Sequence, residues 1–272
     1  MTVVEREVSE RIATLRLNRP EAKNAINKDV HLALCKAWEE LAHDDTVDVV
    51  IVTGTGDAFC AGMDLKHYVT EYVGATPQML ADWAKLGLGG LTRGHHRFPK
   101  PVIAAVNGWA LAGGFELAMA ADIRIASDRA KFGSFEARRG FHHGDGGIAR
   151  LVNFCGVAVA MEMLLTAEPI DAQRAERINL ISKVVPHDTL MEEARKTAKF
   201  ILRNDQPSVR SAKQMVLEMI GRTLDDQLYR ECLAAYTLMA DNPAVPERLK
   251  NFYDKKDRGR HGANTTGLWL RE

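Results

Sequence analysis

Short runs rich in β-branched apolar residues recur through the first half of this chain, at residues 47–52, 101–106 and 123–126, with helical patterns between them. Strands this short and this apolar need cover on both faces, which points to a largely parallel sheet flanked by helices. An earlier strand at residues 12–17 places Ala13, Leu15 and Leu17 on one face and is stopped by Asn18-Arg19-Pro20. Asn27 then caps a helix in which Val30, Leu34, Trp38 and Leu41 recur at spacings of three and four. From about residue 156 the pattern is helical almost throughout, over 157–165, 172–177, 190–203, 209–220 and 224–240, and only 180–185 reads as extended. The fold class is therefore α/β. A chain of 272 residues is somewhat under two domains at about 150 residues each. The expected division is an α/β core over 1–200 and a helical region over 201–272.

Charge and cysteine content narrow the function. Lys+Arg and Asp+Glu are 36 each, so the formal net charge is zero, against a general nucleic-acid binder. Cys35, Cys60, Cys155 and Cys232 form no CxxC pair, so neither a zinc site nor a redox dithiol is expected, and a reducing, cytoplasmic setting is. The start carries acids early and does not read as a leader, and no apolar run approaches a membrane span.

Two glycine-containing segments each follow a buried strand and are expected to lead into a helix: residues 58–66 around Gly62-Met63-Asp64, and residues 107–117 around Gly113-Gly114. Helix starts present unpaired N–H groups, and two of these converging on one point would stabilise an oxyanion. Close helix–strand packing is the alternative role for Gly113-Gly114. Neither GxGxxG nor GxxxxGK[ST] occurs. Glu116 lies in a first turn followed by small apolar residues, either complementing the helix dipole or buried with a raised pKa. Glu136 falls in an irregular stretch. Two carboxylates could divide acid and base work, but spacing does not show that they face each other. In the turn at 140–147, His142, His143 and Asp145 lack metal-ligand spacing, and Gly144 or Asp145 is expected at the cap of the next helix. His95-His96 is expected to end a helix before Pro99. No metal is expected.

On these residues the sequence resembles the enoyl-CoA hydratase/isomerase (crotonase) superfamily, from about residue 12 to 256. The matching segments are Leu17-Asn18-Arg19-Pro20 with Asn24-Ala25, then Phe59-Cys60-Ala61-Gly62-Met63-Asp64-Leu65, then Val106-Asn107-Gly108-Trp109-Ala110 through Gly113-Gly114-Phe115-Glu116. The resemblance implies a crotonase-like spiral core of ββα units with a C-terminal helical trimerisation region. It implies oxyanion-hole amides at Met63 and Gly113, with Glu116 and Glu136 as the acid–base pair. It implies coenzyme A contacts at Ala25, Ala61, Asp64, Leu65 and Lys66, with Lys23 close by, and contacts from Tyr236 and Lys255 reaching a neighbouring subunit. The implied partner is an acyl-CoA thioester, with no separate cofactor, no nucleic acid, no membrane, and a trimer or dimer of trimers as the assembly.

The chain also departs from the family pattern. Phe135 stands where many hydratases have proline, and His142-His143-Gly144-Asp145 replaces an apolar, proline-containing stretch. That turn is expected in the acyl pocket, where it would favour a polar acyl group. The leading expectation is a hydratase adding water syn to a trans-2-enoyl-CoA. The alternatives are a double-bond isomerase, a dehydratase or decarboxylase of a polar acyl-CoA, and a non-catalytic acyl-CoA- or RNA-binding relative.

Overall fold

The computed structural model describes residues 2–254. Its strands are β1 (Val4–Ser9), β2 (Ile12–Leu17), β3 (Val49–Gly54), β4 (Ala58–Cys60), β5 (Val102–Val106), β6 (Trp109–Leu111), β7 (Ile123–Ser127), β8 (Lys131–Gly133), β9 (Ile170–Asp171) and β10 (Lys183–Val185). The α-helices are α1 (Lys28–His43), α2 (Pro77–Leu86), α3 (Gly113–Ala120), α4 (Gly147–Thr166), α5 (Ala172–Arg177), α6 (Leu190–Leu202), α7 (Gln206–Met219), α8 (Leu224–Asp241) and α9 (Val245–Tyr253). The chain divides into one compact unit ending at Lys199 and a second beginning at Phe200.

Six strands of the first unit form one sheet in the order β1-β2-β3-β5-β7-β10, and four form a smaller sheet in the order β4-β6-β8-β9. Neighbours in the large sheet are parallel from β2 onward, and only β1 runs antiparallel, against β2. Every residue of β3 and β5 is buried, as their apolar composition requires. The pairs β3–β4, β5–β6 and β7–β8 each give their first strand to the large sheet and their second to the small one. A helix or helical turn follows each pair, producing a repeated ββα unit.

Several local details differ from the sequence expectation. The β1–β2 hairpin turns through Glu10 and Arg11, both left-handed at φ 52° and 63°, without the glycine or asparagine that usually marks such a turn. His95 and His96 lie in turns rather than at a helix end, because α2 has already stopped at Leu86 with Gly87 at its C-cap. α4 is the one described helix long and apolar enough to cross a membrane by length and composition. It contains a break at Gly156 (φ 80°, ψ 166°), so neither half reaches the roughly 20 residues a span requires.

Side-chain bonds to the backbone and between side chains fix several helix ends. Asn27 Oδ1 accepts the Val30 N–H at 3.0 Å, capping α1 as its sequence position suggests. At the other end of α1, the fully buried Lys100 donates from Nζ to the carbonyls of Leu41 (2.5 Å) and Asp44 (2.7 Å), placing a cation on the negative end of the helix. In the second unit, Asp205 caps α7 and accepts from Asn242 Nδ2 at 2.6 Å, linking the start of α7 to the end of α8.

Candidate active site

The site is assembled where β6 turns into α3. Ala112 takes a left-handed φ of 51° at the N-cap, a costly conformation for a residue with a side chain. α3 must then pass very close to β4. A Cβ on Gly114 would lie 2.0 Å from the Cys60 carbonyl oxygen, so only glycine allows this crossing. Gly113 thus opens α3 with an N–H that has no intrahelical acceptor.

Met63 approaches from the chain after β4. The stretch forms turns rather than the helix start expected from sequence, and Met63 is held by a parallel bridge to Ile26. Ile26 N–H donates to Gly62 O at 2.7 Å, and Asp64 N–H donates to Ile26 O at 2.9 Å. These bonds fix the backbone of Met63 while its own N–H donates to no acceptor among the described residues. A Cβ on Gly113 would lie 3.5 Å from Met63 N, so the two unpaired amides border the same space.

That space is a cavity of about 660 Å³ bordered by Met63, Ala112, Gly113, Glu116 and Glu136, with apolar walls from Leu65, Val69, Tyr72, Leu88, Leu111, Phe135 and Phe141. Glu116, in the first turn of α3, is 3% exposed, and its Oε1 accepts the N–H groups of Asp145 and Gly147, each at 2.8 Å. Glu136, which opens a helical turn ending at Arg139, is 4% exposed, and its Oε2 accepts from Ser134 Oγ at 3.4 Å.

The imidazole of His143 stands against both acids. Its Nδ1 is 2.7 Å from Glu136 Oε1 and 3.3 Å from Glu116 Oε1, and its side chain is fully buried. Neither ring nitrogen is aligned for a directed hydrogen bond, so these contacts are ion pairs by distance. Burial pulls the imidazole pKa down, but the close approach and negative charge of Glu116 and Glu136 outweigh it and lift the value to about 9. Gly147 makes the seating possible, because a Cβ there would lie 2.4 Å from His143 Cγ. Asp145 is pushed above the usual carboxylate range by burial and by Glu116.

The whole chain can be set beside known proteins. Residues 7–258 match the family model for enoyl-CoA hydratase/isomerase. The chain belongs to the enoyl-CoA hydratase/isomerase family. It is 40% identical over 231 residues to a protein of Mycobacterium bovis named "Probable enoyl-CoA hydratase", covering 84% of this chain and 86% of that one. It is also 40% identical over 255 residues to a crotonyl-CoA hydratase of Syntrophomonas wolfei, covering 92% and 94%. The crystal structure of an enoyl-CoA hydratase from Bacillus anthracis superimposes with a TM-score of 0.83 at 31% identity, covering 93% and 96%. The crotonase fold expected from the motifs is the fold observed.

Against this family frame, the residues expected to contact coenzyme A fall into distinct groups. Ala61 and Leu65 border the cavity. Ala25 is half-buried, and its carbonyl accepts from Arg19 Nη1 at 2.6 Å. Asp64 is buried and occupied by the scaffold: Arg19 Nη2 lies 3.2 Å from its Oδ2, and its Oδ1 accepts the N–H groups of Lys66 and His67. Lys23 is paired with Asp57 at 2.5 Å, whereas the exposed Lys66 has no carboxylate partner among the described residues. Tyr236 is 63% exposed on α8, and Lys255 lies outside the described residues.

The unusual turn at 142–145 also divides. His142, Gly144 and Asp145 border the cavity, but His143 does not: it lies behind the glutamates, which take its ring inward as an ion pair. Gly146, not Gly144 or Asp145, occupies the cap of α4, because Asp145 Oδ1 is taken by the Leu88 N–H at 3.0 Å. Glu116, Glu136 and His143 are the only described residues whose donor atoms are grouped closely enough to suggest a metal, all within 4.8 Å. With its pKa raised, the imidazole of His143 is placed to carry a positive charge between the two carboxylates. Arg139, which sequence reasoning did not single out, borders the cavity at the end of the helical turn that Glu136 opens, with no carboxylate partner among the described residues.

Proposed function

We propose that this chain catalyses the reversible syn addition of water to a trans-2-enoyl-CoA, giving a 3-hydroxyacyl-CoA. The observation that carries this reading is the convergence of two buried carboxylates and two unpaired backbone N–H groups on one cavity. The thioester carbonyl would lie against the Met63 and Gly113 amides, which are placed to hold the negative charge that develops as the enolate forms. Glu116 would take a proton from water as its oxygen bonds to C3, and Glu136 would deliver a proton to C2. Only protons and one water molecule move, so the reaction calls for no cofactor beyond the coenzyme A of the substrate. The family relationship and the hydratase names of its relatives support the same chemistry.

Loss of enoyl-thioester absorbance with crotonyl-CoA is the direct assay. Turnover is the expected result. Turnover of a 3-enoyl-CoA alone would reassign the chain to double-bond migration, for which a single base suffices.

The proposed assembly is a trimer, or a dimer of trimers, of identical chains acting in the cytoplasm. In the second unit Leu224, Leu228, Leu233, Tyr236 and Met239 are all more than half exposed along α8, a stripe suited to another copy. Mass measurement by light scattering is expected to give three or six times the chain mass of 30.2 kDa, and a monomer at micromolar concentration would exclude this assembly.

A further inference from the structure

We infer that His143 is a positioning residue of the hydration site, a proton store that joins Glu116 to Glu136 from the side away from the substrate. The inference rests on the hydratase reading above. One nitrogen, Nδ1, faces both carboxylates, while the ring itself stays out of the cavity wall. A site with two glutamates alone must share its exchangeable proton between two like-charged groups. Here a third group stands within ion-pair distance of both carboxylates and gives that proton a nitrogen to rest on.

The proton balance closes over one turnover. Glu116 accepts a proton as the water O–H bond breaks and the C3–O bond forms. Glu136 gives a proton to C2, having received it from Nδ1 once a small turn of the ring points the N–H at Glu136 Oε1, and Nδ1 is refilled from Glu116 when the ring turns towards that acid. The cluster ends as it began, and the substrate has gained one water.

The surrounding charges favour the protonated ring. Glu116 of α3 and Glu136 of the following turn are its immediate neighbours. Beyond them Asp145 adds negative charge beside Glu116, while Arg150 of α4 and Arg93 offset it, Arg150 donating to Asp145 O at 3.0 Å and Arg93 lying 3.7 Å from Asp145 Oδ1. Arg139 stands at the cavity wall.

The test combines a pH profile with a spectroscopic one on the full chain. His143→Gln keeps polarity and approximate volume, and melting curves establish that it folds. With crotonyl-CoA, the wild-type kcat should persist to about pH 9 before falling. In H143Q the proton has only carboxylates to rest on, so the alkaline fall should begin at least one pH unit lower, with KM changed less than threefold. A residue with a merely structural role would lower kcat evenly across pH. In parallel, ¹⁵N imidazole resonances, with the His143 signal identified by its loss in H143Q, should show an imidazolium at pH 7.

An unchanged alkaline limb in H143Q overturns the inference, as does a neutral His143 ring at pH 7. Activity abolished by a chelator and restored by a divalent cation overturns it too, since the imidazole would then bind metal rather than a proton. If no enoyl-CoA is hydrated although the imidazolium is present, the hydratase reading fails and the relay falls with it. If hydration occurs without the imidazolium, only the relay fails.

Discussion

Glu136→Gln is expected to lower kcat with crotonyl-CoA by two to four orders of magnitude while leaving KM within a few-fold of wild type. Glutamine preserves the length and polarity of the side chain, so its contact with Ser134 Oγ and the shape of the cavity wall survive. What disappears is a proton acceptor and donor at C2, together with one of the two negative charges facing His143. The imidazolium of the variant should consequently deprotonate at lower pH than in the parent. Steady-state kinetics alongside direct measurement of acyl-CoA affinity separates the chemical defect from a binding defect. A rate close to wild type would remove Glu136 from the mechanism.

Gly114→Ala is expected to disturb the structure strongly through a single methyl group. The added carbon would lie 2.0 Å from the Cys60 carbonyl oxygen and 2.6 Å from its carbon. Both are backbone atoms, so no change of rotamer relieves the clash and α3 must move away from β4. Overpacking of this kind costs roughly 3 kcal/mol, which in a chain of this size lowers the melting midpoint by roughly 10 °C. Because Gly113 and Glu116 ride on the same first turn, activity in the surviving folded fraction should also fall sharply. Thermal melts and kinetics on G114A test both parts. Gly144→Ala is the control for stability: a Cβ there meets nothing within 4 Å, so its midpoint should scarcely move. A G114A melting curve matching the parent would show that the crossing is looser than described.

The contrast between what the residues announce and what they conceal follows from range. The strands β3 and β5 are legible because fully buried parallel strands demand apolar side chains, and α1 is legible because Asn27 caps a clear three–four pattern. The small sheet is not, since strands such as Ala58–Cys60 and Trp109–Leu111 are too short to show alternation. The β1–β2 turn escapes because Glu10 and Arg11 are unusual occupants of left-handed positions. At the site, the family resemblance marks Met63, Gly113, Glu116 and Glu136 as candidates, but the meeting of Glu116 with Glu136 and His143 is made by tertiary packing alone. The sequence signal at His143 was its departure from the family pattern. That signal located an oddity without showing that its ring turns inward rather than toward the acyl chain.

Two asparagines in the motifs that reveal the family do no chemistry at all. Asn24 Nδ2 donates to Thr55 O and Ala58 O, each at 2.8 Å, and Asn107 Nδ2 donates to Gly56 O at 3.0 Å and Ala58 O at 3.1 Å. They rivet three distant stretches of backbone around a single carbonyl, and none of these bonds reaches the segment that carries Glu136 and His143. The segment carrying Glu136 and His143 is tied to the scaffold by other bonds, since the Asp145 N–H donates to Glu116 Oε1 and Asp145 Oδ1 accepts the Leu88 N–H. A change at Asp145 would therefore be felt in the first turn of α3, whereas the asparagine rivets would carry it nowhere.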